Sequence, residues 1–355
     1  MNILVHIDSK MGGQPALRFL RNGLAAFAKN QPGRQLFLSA SKSLTDQAEW
    51  MAAGFQILRV TKPAFPLFSG QIFRSRLSRQ VRKLKIDCCL IINGSSLNCP
   101  GTTQFLVPLN IAWKPSPHDI GNAHIRLLAL APPQSMETSS FSPERISYIP
   151  YQAPADFQPL SLEEKLALRS QYAAGQEYFL YAGPLNPPGT LVNLLKAFSV
   201  FKKWQASSWK LILTGNAPEG ASALQESLAT YKYRNDVLVL TDPDPGLGAR
   251  LIGAAYALVI RENGLCYPFP AAESLACGVP LIAAETLNLP ADMLPATLQS
   301  KSDDFNDLGE AMKQLYRDEA LRARLAASAS ARTAPLPEQA ALELEKLLRR
   351  EPVRP

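Results

Sequence analysis

Regular alternation of short apolar runs with amphipathic segments is the feature that most constrains the fold of this chain. Residues 2–7 form an apolar run typical of a buried strand, and residues 14–29 follow with leucines spaced along one helix face. Strands that alternate with helices through most of a chain indicate parallel sheets covered by helices. Further strands are predicted at 34–39, 55–60, 87–92, 104–108, 146–149, 177–182, 209–214, 236–240, 256–260 and 280–284, and further helices at 70–85, 162–172, 190–206, 221–231, 246–254, 270–277, 303–316, 318–329 and 336–350.

The alternation has one interruption and one linker. Prolines break any period through residues 110–145, where we expect loops and one short strand. The segment 150–159 is rich in proline and reads as a linker. A chain of 355 residues is long for a single core and suits two domains of about 150 residues each.

Composition narrows the class of protein further. Apolar residues make up 46% and charged residues 19%, as in an ordinary globular protein, so disorder is excluded. No apolar run approaches the length of a membrane span, and no basic segment of a signal peptide precedes residues 2–7. The cysteine count is odd, with no Cys-x-x-Cys pair, which favours reduced thiols in the cytoplasm. The five are Cys88, Cys89, Cys99, Cys266 and Cys277.

Three segments of the second half carry a family resemblance. Residues 258–280 read LVIRENGLCYPFPAAESLACGVP, residues 177–199 read EYFLYAGPLNPPGTLVNLLKAFS, and residues 209–215 read WKLILTG. Together they resemble the signature, phosphate-loop and following strand segments of family 4 glycosyltransferases. The resemblance covers roughly residues 160–330 closely and residues 1–60 loosely. A long co-linear match of this kind is more specific than a lone glycine motif.

The resemblance implies the GT-B architecture, an α/β fold of two Rossmann-like domains with parallel sheets that face each other across a cleft. We expect an N-terminal, acceptor-side domain at 1–152 and a C-terminal, nucleotide-sugar-side domain at 153–335. A last helix within 336–355 is expected to cross back to the N-terminal domain. The family retains anomeric configuration, uses a nucleotide-activated sugar and needs no metal or other cofactor.

Several residues match positions that bind the nucleotide sugar in the family. The resemblance gives Glu273 the role of accepting hydrogen bonds from the ribose hydroxyls, for which a carboxylate is suited. A helix-start carboxylate favoured by the helix dipole is the alternative. Glycines that allow close backbone approach complete the set, although Gly12 and Gly13 also fit an ordinary strand-to-helix turn; these glycines are Gly12, Gly13, Gly183 and Gly215.

Other matched positions have lost the chemistry that the family uses. Pro184 and Gly189 stand where an Arg and a Lys neutralise the diphosphate, and fixed cations of this kind stabilise a departing phosphate. Leu265 replaces the carboxylate that contacts the donor sugar. Leu109 and Asn110 stand where a His-Asp pair serves the acceptor side. The donor-site motifs are therefore degenerate.

Three nearby polar residues are candidate substitutes. Glu262 lies three residues before Leu265 and would need a rearranged loop. Arg261 is within reach of a phosphate, although we favour a solvated loop charge. His118, followed by Asp119, is a candidate general base, but its loop lacks a preceding strand, and we interpret the two as a surface pair, because a base must first be held in geometry.

The predicted helix at 70–85 has a basic face. A basic amphipathic helix can dock on an anionic membrane or an acidic protein. A core-packed helix with a solvated basic face is the alternative. Nucleic acid is not expected, because no aromatic platform or known binding module accompanies the charges. The basic residues are Arg74, Arg76, Arg79, Arg82, Lys83 and Lys85.

These observations lead to one functional hypothesis and two alternatives. We expect a glycosyltransferase-like protein that is degenerate, non-catalytic or very weak, and that supports glycan or cell-envelope polysaccharide assembly in the cytoplasm or at the inner face of the membrane. One alternative is an active retaining glycosyltransferase with a rebuilt donor site. The other is a phosphorylase or synthase on the same fold, for which no pyridoxal-binding lysine is apparent.

Overall fold

A computed structural model of the chain describes most of its residues. They are residues 1–8, 15–29, 33–41, 47–60, 69–109, 113–130, 140–149, 151–185, 188–205, 207–216, 221–261, 268–287, 289–302, 304–332 and 337–349. The chain forms two compact units, the first from residues 1–152 and 335–355 and the second from residues 153–263 and 268–334.

The first unit contains a seven-stranded parallel sheet in the order β3-β2-β1-β4-β5-β6-β7. Its central strands are apolar and buried on both faces, as parallel strands covered by helices must be. The strands are β1 (Asn2–Ile7), β2 (Gln35–Ala40), β3 (Phe55–Ile57), β4 (Cys88–Ile92), β5 (Thr103–Val107), β6 (Ile125–Ala129) and β7 (Ile146–Tyr148).

Among the described residues, five α-helices belong to this unit. α12 comes from the far end of the chain and packs against α1, where Leu344 lies against Gly23. α3 buries Phe73, Leu77 and Val81 in a core cluster with the sheet. The helices are α1 (Pro15–Lys29), α2 (Gln47–Ala52), α3 (Ser69–Lys83), α4 (Pro117–Gly121) and α12 (Pro337–Arg349).

The second unit contains a six-stranded parallel sheet in the order β10-β9-β8-β11-β12-β13. The strands are β8 (Tyr178–Ala182), β9 (Lys210–Gly215), β10 (Val237–Thr241), β11 (Ala257–Ile260), β12 (Leu281–Ala284) and β13 (Thr297–Ser300). The helices are α5 (Leu162–Ala173), α6 (Pro188–Gln205), α7 (Ala221–Ala229), α8 (Pro245–Ala254), α9 (Phe269–Ala276), α10 (Phe305–Arg317) and α11 (Glu319–Ala331).

Local sequence signals set the helix boundaries in this unit. Ser161 and Glu164 form the capping box that opens α5. The carboxylates of Asp244, Asp304 and Asp318 accept backbone N–H groups at the starts of α8, α10 and α11. Each cap satisfies a donor that has no partner within its own helix.

Each sheet has one point at which the order of its strands reverses. In the first sheet the reversal falls between β1 and β4, and in the second it falls between β8 and β11. Right-handed crossovers then place the helices that follow the two strands on opposite faces. This leaves a crevice beyond the carboxyl ends of the two strands, which is where open α/β sheets bind ligands.

The expected fold class of two Rossmann-like domains with parallel sheets is confirmed. Three elements were not predicted. α2 is short and α4 lies in the segment expected to be loop and strand, where β6 is the expected strand. β13 was missed because its sequence, TLQS, lacks the apolar run of the other strands. Among the described residues, no helix combines the length and the apolar character needed to cross a bilayer.

The packing of α6 against α10 generates a stability prediction. A Cβ on Gly309 would lie 2.7 Å from Cβ of Val200 and 2.9 Å from the carbonyl oxygen of Ala197. Overpacking of this kind costs about 1–3 kcal/mol, and the better helix propensity of alanine offsets about 1 kcal/mol of it. We expect Gly309→Ala to lower the free energy of unfolding by about 1 kcal/mol in urea titrations.

Gly248→Ala is the matched control, because no atom lies within 4 Å of a Cβ at that position of α8. We expect it to raise stability by about 0.5–1 kcal/mol through helix propensity alone. A Gly309→Ala protein as stable as the wild type would contradict the packing argument.

Candidate functional site

Two glycine turns meet at the carboxyl edge of the second sheet. The Gly183 amide donates to the carbonyl of Thr214 at 2.9 Å, and the Leu185 amide donates to the carbonyl of Asn216 at 2.9 Å. The chain leaving β8 is thus held against the chain leaving β9 by backbone hydrogen bonds. Both predicted binding glycines, Gly183 and Gly215, lie in this contact.

Gly215 is required for the contact itself. Its φ is +149°, a conformation that L side chains rarely adopt, and a Cβ here would overlap the Gly183 carbonyl. The Gly215 carbonyl also accepts from the amide of Asp242 at 2.9 Å. The two glycines therefore have a structural role beside the binding role predicted for them.

The two positions that were expected to have lost phosphate-binding cations lie just beyond this contact. The Pro184 carbonyl accepts a hydrogen bond from the Tyr181 hydroxyl at 3.0 Å. Gly189 is the second residue of α6, which begins with Pro188, and proline suits this first position. The helix start and a tyrosine are present here, but neither residue contributes positive charge.

Glu273 is the fifth residue of α9. Its side chain is 4% exposed, so it does not point into solvent. Burial, reinforced by the negative charge of Glu273, raises the pKa of the Cys277 thiol one turn later to about 12. Glu273 also makes a further interaction within the protein.

Arg261 departs from its sequence-based interpretation. A solvated loop charge was expected, but the side chain is 3% exposed. The residue directly follows β11 at the point where the strand order reverses. Burial raises the pKa of the Tyr181 hydroxyl to about 12, and the positive charge of Arg261 opposes that effect. The guanidinium therefore lies near Tyr181.

Five other predicted residues cannot be placed in the site. Gly12, Gly13, Asn110, Glu262 and Leu265 lie outside the described residues. Their assignments remain predictions from the sequence.

Leu109 occupies the position beyond β5 where the family has a His-Asp pair. Its side chain is buried, and its amide donates to the Asn93 side chain at 2.7 Å. The position is therefore built into the core of the first unit. It offers no group that could exchange a proton.

The interpretation of His118 and Asp119 as a surface pair is wrong for Asp119. Ser116 caps the short helix α4, and Asp119 completes a capping box with it. The fully buried carboxylate accepts from the Ser96 amide at 2.9 Å and from the Ser116 amide at 2.8 Å. Burial alone would raise the pKa of Asp119, but the hydrogen bonds from Ser116 and Ser96 outweigh burial and lower it.

His118 is exposed, and its Nδ1 lies 3.2 Å from Oγ of Ser96. Asp119 is occupied by the helix cap and points its carboxylate at backbone donors. The two residues are therefore not arranged as a catalytic pair.

Sequence reasoning missed a polar pair at the strand reversal of the first unit. The His6 Nε2 and the Asp8 Oδ1 lie 3.9 Å apart at the carboxyl end of β1. Burial lowers the pKa of His6 to about 4, against the opposing charge of Asp8, so the imidazole is neutral near pH 7. The residues directly after β1 were the available signal, since ligands bind at such strand ends.

The basic face of α3 is smaller than predicted. The Arg74 guanidinium is half-buried and donates to the carbonyls of Ser95, at 2.7 Å, and Ser96. Arg74 thus stabilises the chain that follows β4. The other five basic side chains are exposed, and they are Arg76, Arg79, Arg82, Lys83 and Lys85.

Comparison with known proteins finds a family match within the second unit. Residues 164–332 match the family described as glycosyl transferases group 1. The resemblance predicted from the sequence is thereby confirmed. A search of curated protein sequences finds no match to the chain.

Solved structures extend the fold assignment to both units. A glycosyltransferase from Rickettsia africae is 11% identical, with 98% of this chain and 97% of that chain covered and a TM-score of 0.71. WaaG, a glycosyltransferase involved in lipopolysaccharide biosynthesis, is 13% identical over 96% and 98%, with a TM-score of 0.71. Anabaena HepE in complex with UDP-glucose is 15% identical over 98% and 99%, with a TM-score of 0.73. The GT-B fold is therefore confirmed.

The capping role of Asp119 can be tested by its pH dependence. Asp119→Asn removes a buried charge that backbone donors stabilise, and we expect a loss of about 2 kcal/mol in the free energy of unfolding at pH 7. The folded-state pKa is lowered, so this stability is present above the unfolded pKa of about 3.9 and is lost as the pH falls through the folded value. The difference between the two proteins in urea titrations should shrink only in that acidic range.

His118→Gln changes the exposed neighbour and is the control. We expect it to alter stability by less than about 0.5 kcal/mol. If Asp119→Asn lowered the free energy of unfolding no more than His118→Gln does, the capping role of Asp119 would be contradicted and the surface-pair interpretation would stand.

Proposed function

We propose that the chain is a glycosyltransferase-like protein with a degenerate donor site, which binds a nucleotide sugar or glycan acceptor and transfers sugar very weakly or not at all. The main support is the start of α6. Pro184 and Gly189 lie around the turn where family members hold the diphosphate, and neither offers a cation. A transferase needs fixed charge there to stabilise the leaving nucleotide.

Retained elements support binding as opposed to a complete loss of the site. The Gly183 and Gly215 turns hold the carboxyl edge together. Glu273 keeps its place in the first turns of α9 and stays buried. A buried carboxylate at this edge suits vicinal hydroxyl donors such as those of a ribose.

The cellular role is proposed from the fold and from the cysteines. WaaG, which shares the fold, takes part in lipopolysaccharide biosynthesis, and we propose a supporting role in glycan or cell-envelope polysaccharide assembly. The four cysteines that the structure describes are free and buried, as suits a reducing compartment. We propose that the protein acts in the cytoplasm or at the inner face of the membrane.

A second candidate is an active retaining glycosyltransferase with a rebuilt donor site. One observation favours it: a buried arginine, Arg261, lies at the strand reversal of the second sheet. One positive charge at this edge would replace part of what two loop cations supply.

Calorimetric titration with nucleotide sugars and nucleoside diphosphates tests the proposal. We expect the wild type to bind a member of a panel that includes UDP, GDP, ADP and UDP-glucose, and Glu273→Ala to weaken that binding about tenfold or more. Transfer or hydrolysis of the nucleotide sugar should not exceed the uncatalysed rate.

Glu226→Ala is the control, because that carboxylate is exposed on α7. Joint restoration by Pro184→Arg, Gly189→Lys and Leu265→Glu should raise nucleotide affinity if the scaffold is intact. Turnover by the wild type that Glu273→Ala abolishes would favour the active enzyme. Binding of no member of the panel would contradict both candidates.

We further propose that α3 docks on an anionic membrane surface through its four exposed basic side chains, together with Lys85 just beyond its end. The apolar side of α3 is packed in the core through Phe73, Leu77 and Val81, so it is not available for insertion. Docking must then be electrostatic, at about 1 kcal/mol for each basic residue near the surface.

Sedimentation with lipid vesicles tests this docking. The protein should bind vesicles that contain phosphatidylglycerol and not phosphatidylcholine alone, and added salt should release it. Joint substitution by Arg76→Glu, Arg79→Glu and Lys83→Glu should abolish binding. The same charge change at exposed residues of the second unit, Lys203→Glu, Lys232→Glu and Arg234→Glu, should leave binding unchanged. Equal loss with both variants would point to a net-charge effect and overturn the role of α3.

A further inference from the structure

Arg261 lies at the strand reversal of the second sheet. β11 pairs with β8 in a register that sets Ala257 opposite Phe179 and Leu258 opposite Leu180. The same register continued by three residues sets Arg261 opposite Gly183. The arginine therefore stands beside the turn that leads into α6, at the edge where open α/β sheets bind their ligands.

The side chain of Arg261 lies on the face of the sheet that α6 covers. Side chains alternate between the faces of a strand, so Arg261 shares a face with Val259, two residues earlier. Val259 and Tyr181 belong to one core cluster with Leu191 and Leu194 of α6. Because α6 begins at this edge, the guanidinium lies on the same side of the sheet as the start of α6, where backbone N–H groups also favour anions.

The charge of Arg261 also affects Tyr181, on the neighbouring strand β8. The positive charge of Arg261 acts on the Tyr181 hydroxyl, and that hydroxyl donates to the Pro184 carbonyl at 3.0 Å. Pro184 is one of the two positions that lack the cation of the family. Tyr181 therefore interacts both with Pro184, where the family's cation is absent, and with the buried charge of Arg261.

No other cation in the described chain is placed this way. Among the described residues that come within two positions of the carboxyl ends of β8, β9, β11 and β12, Arg261 is the only basic one. Lys196 is exposed on α6, with its Nζ 5.4 Å from the centre of the Phe305 ring. Arg261 has a further interaction within the protein, and a guanidinium with five donors can make one and still bind a ligand.

Resting on the proposed function, we propose that Arg261 supplies the positive charge for the diphosphate of the bound nucleotide. The phosphate-binding charge has moved from the β8–α6 turn to the end of β11. A diphosphate accepts the fork of donors that a guanidinium presents. Arg261 is then a binding residue for the phosphates and has no contact with the nucleoside.

The test compares each nucleoside with its diphosphate by calorimetry. The probes are uridine with UDP, guanosine with GDP and adenosine with ADP. We expect the wild type to bind the diphosphate of at least one pair more tightly than the nucleoside. Arg261→Gln should lower the affinity for that diphosphate about tenfold to a hundredfold and leave the affinity for the nucleoside unchanged.

Two further variants keep the test decisive. Arg324→Gln makes the same change at an exposed residue of α11 and should alter neither affinity. Arg261→Lys keeps the charge without the fork of donors, and it should lower the preference for the diphosphate about threefold to tenfold. It replaces Arg261→Gln if melting curves show that the glutamine variant does not fold.

The outcomes separate the two proposals. An Arg261 variant that folds and keeps the full preference for the diphosphate overturns the role of Arg261 and leaves the proposed function standing. A wild type that binds a nucleoside and its diphosphate with equal affinity also overturns the role of Arg261 and leaves the proposed function standing. A wild type that binds neither member of any pair overturns both proposals.

Discussion

The parallel pairing of β8 with β11 is the contact on which the candidate site depends. The two strands are far apart in the sequence, with β8 at Tyr178–Ala182 and β11 at Ala257–Ile260. The backbone amide of Tyr256, just before β11, donates to the Tyr178 carbonyl at 2.9 Å. The strand order reverses where the two strands pair, and the helices that follow them therefore lie on opposite faces of the sheet. The turn after β8 and Arg261 after β11 therefore share one edge, and neither could reach a common ligand without that reversal.

Most of the fold follows from the sequence, because alternating buried strands and amphipathic helices have few arrangements. The predictions that failed concern single short elements. β13 carries little apolar character and pairs at the edge of the sheet. The capping box of Ser116 and Asp119 begins a helix of only about one turn, which is too short to show a helical spacing of apolar residues. Its carboxylate was therefore assigned to the surface, although Ser-x-x-Asp is a start signal that was there to be used.

The site was harder to predict than the fold, because its residues meet only through sheet order. Nothing near Arg261 in the sequence ties it to Tyr181. The position directly after a buried strand was the usable signal, since open α/β sheets bind ligands at such strand ends. The pairing of His6 with Asp8 was not predicted from the sequence for a related reason. It reads as part of a buried strand, and its closeness to Asp8 matters only because β1 lies at the reversal of the first sheet.

Binding and transfer make different demands on such a site. Holding a nucleotide requires partners for groups already present in the ground state, and a buried carboxylate with one buried guanidinium suits this task. Transfer requires extra stabilisation of charge that develops on the leaving diphosphate. Pro184 and Gly189 offer no cation for that increment, and Leu109 offers no ionisable group at the position beyond β5 where the family has a His-Asp pair. A site altered in this way would lose turnover before it loses affinity, which is why we propose binding of a nucleotide sugar or glycan acceptor with very weak transfer or none.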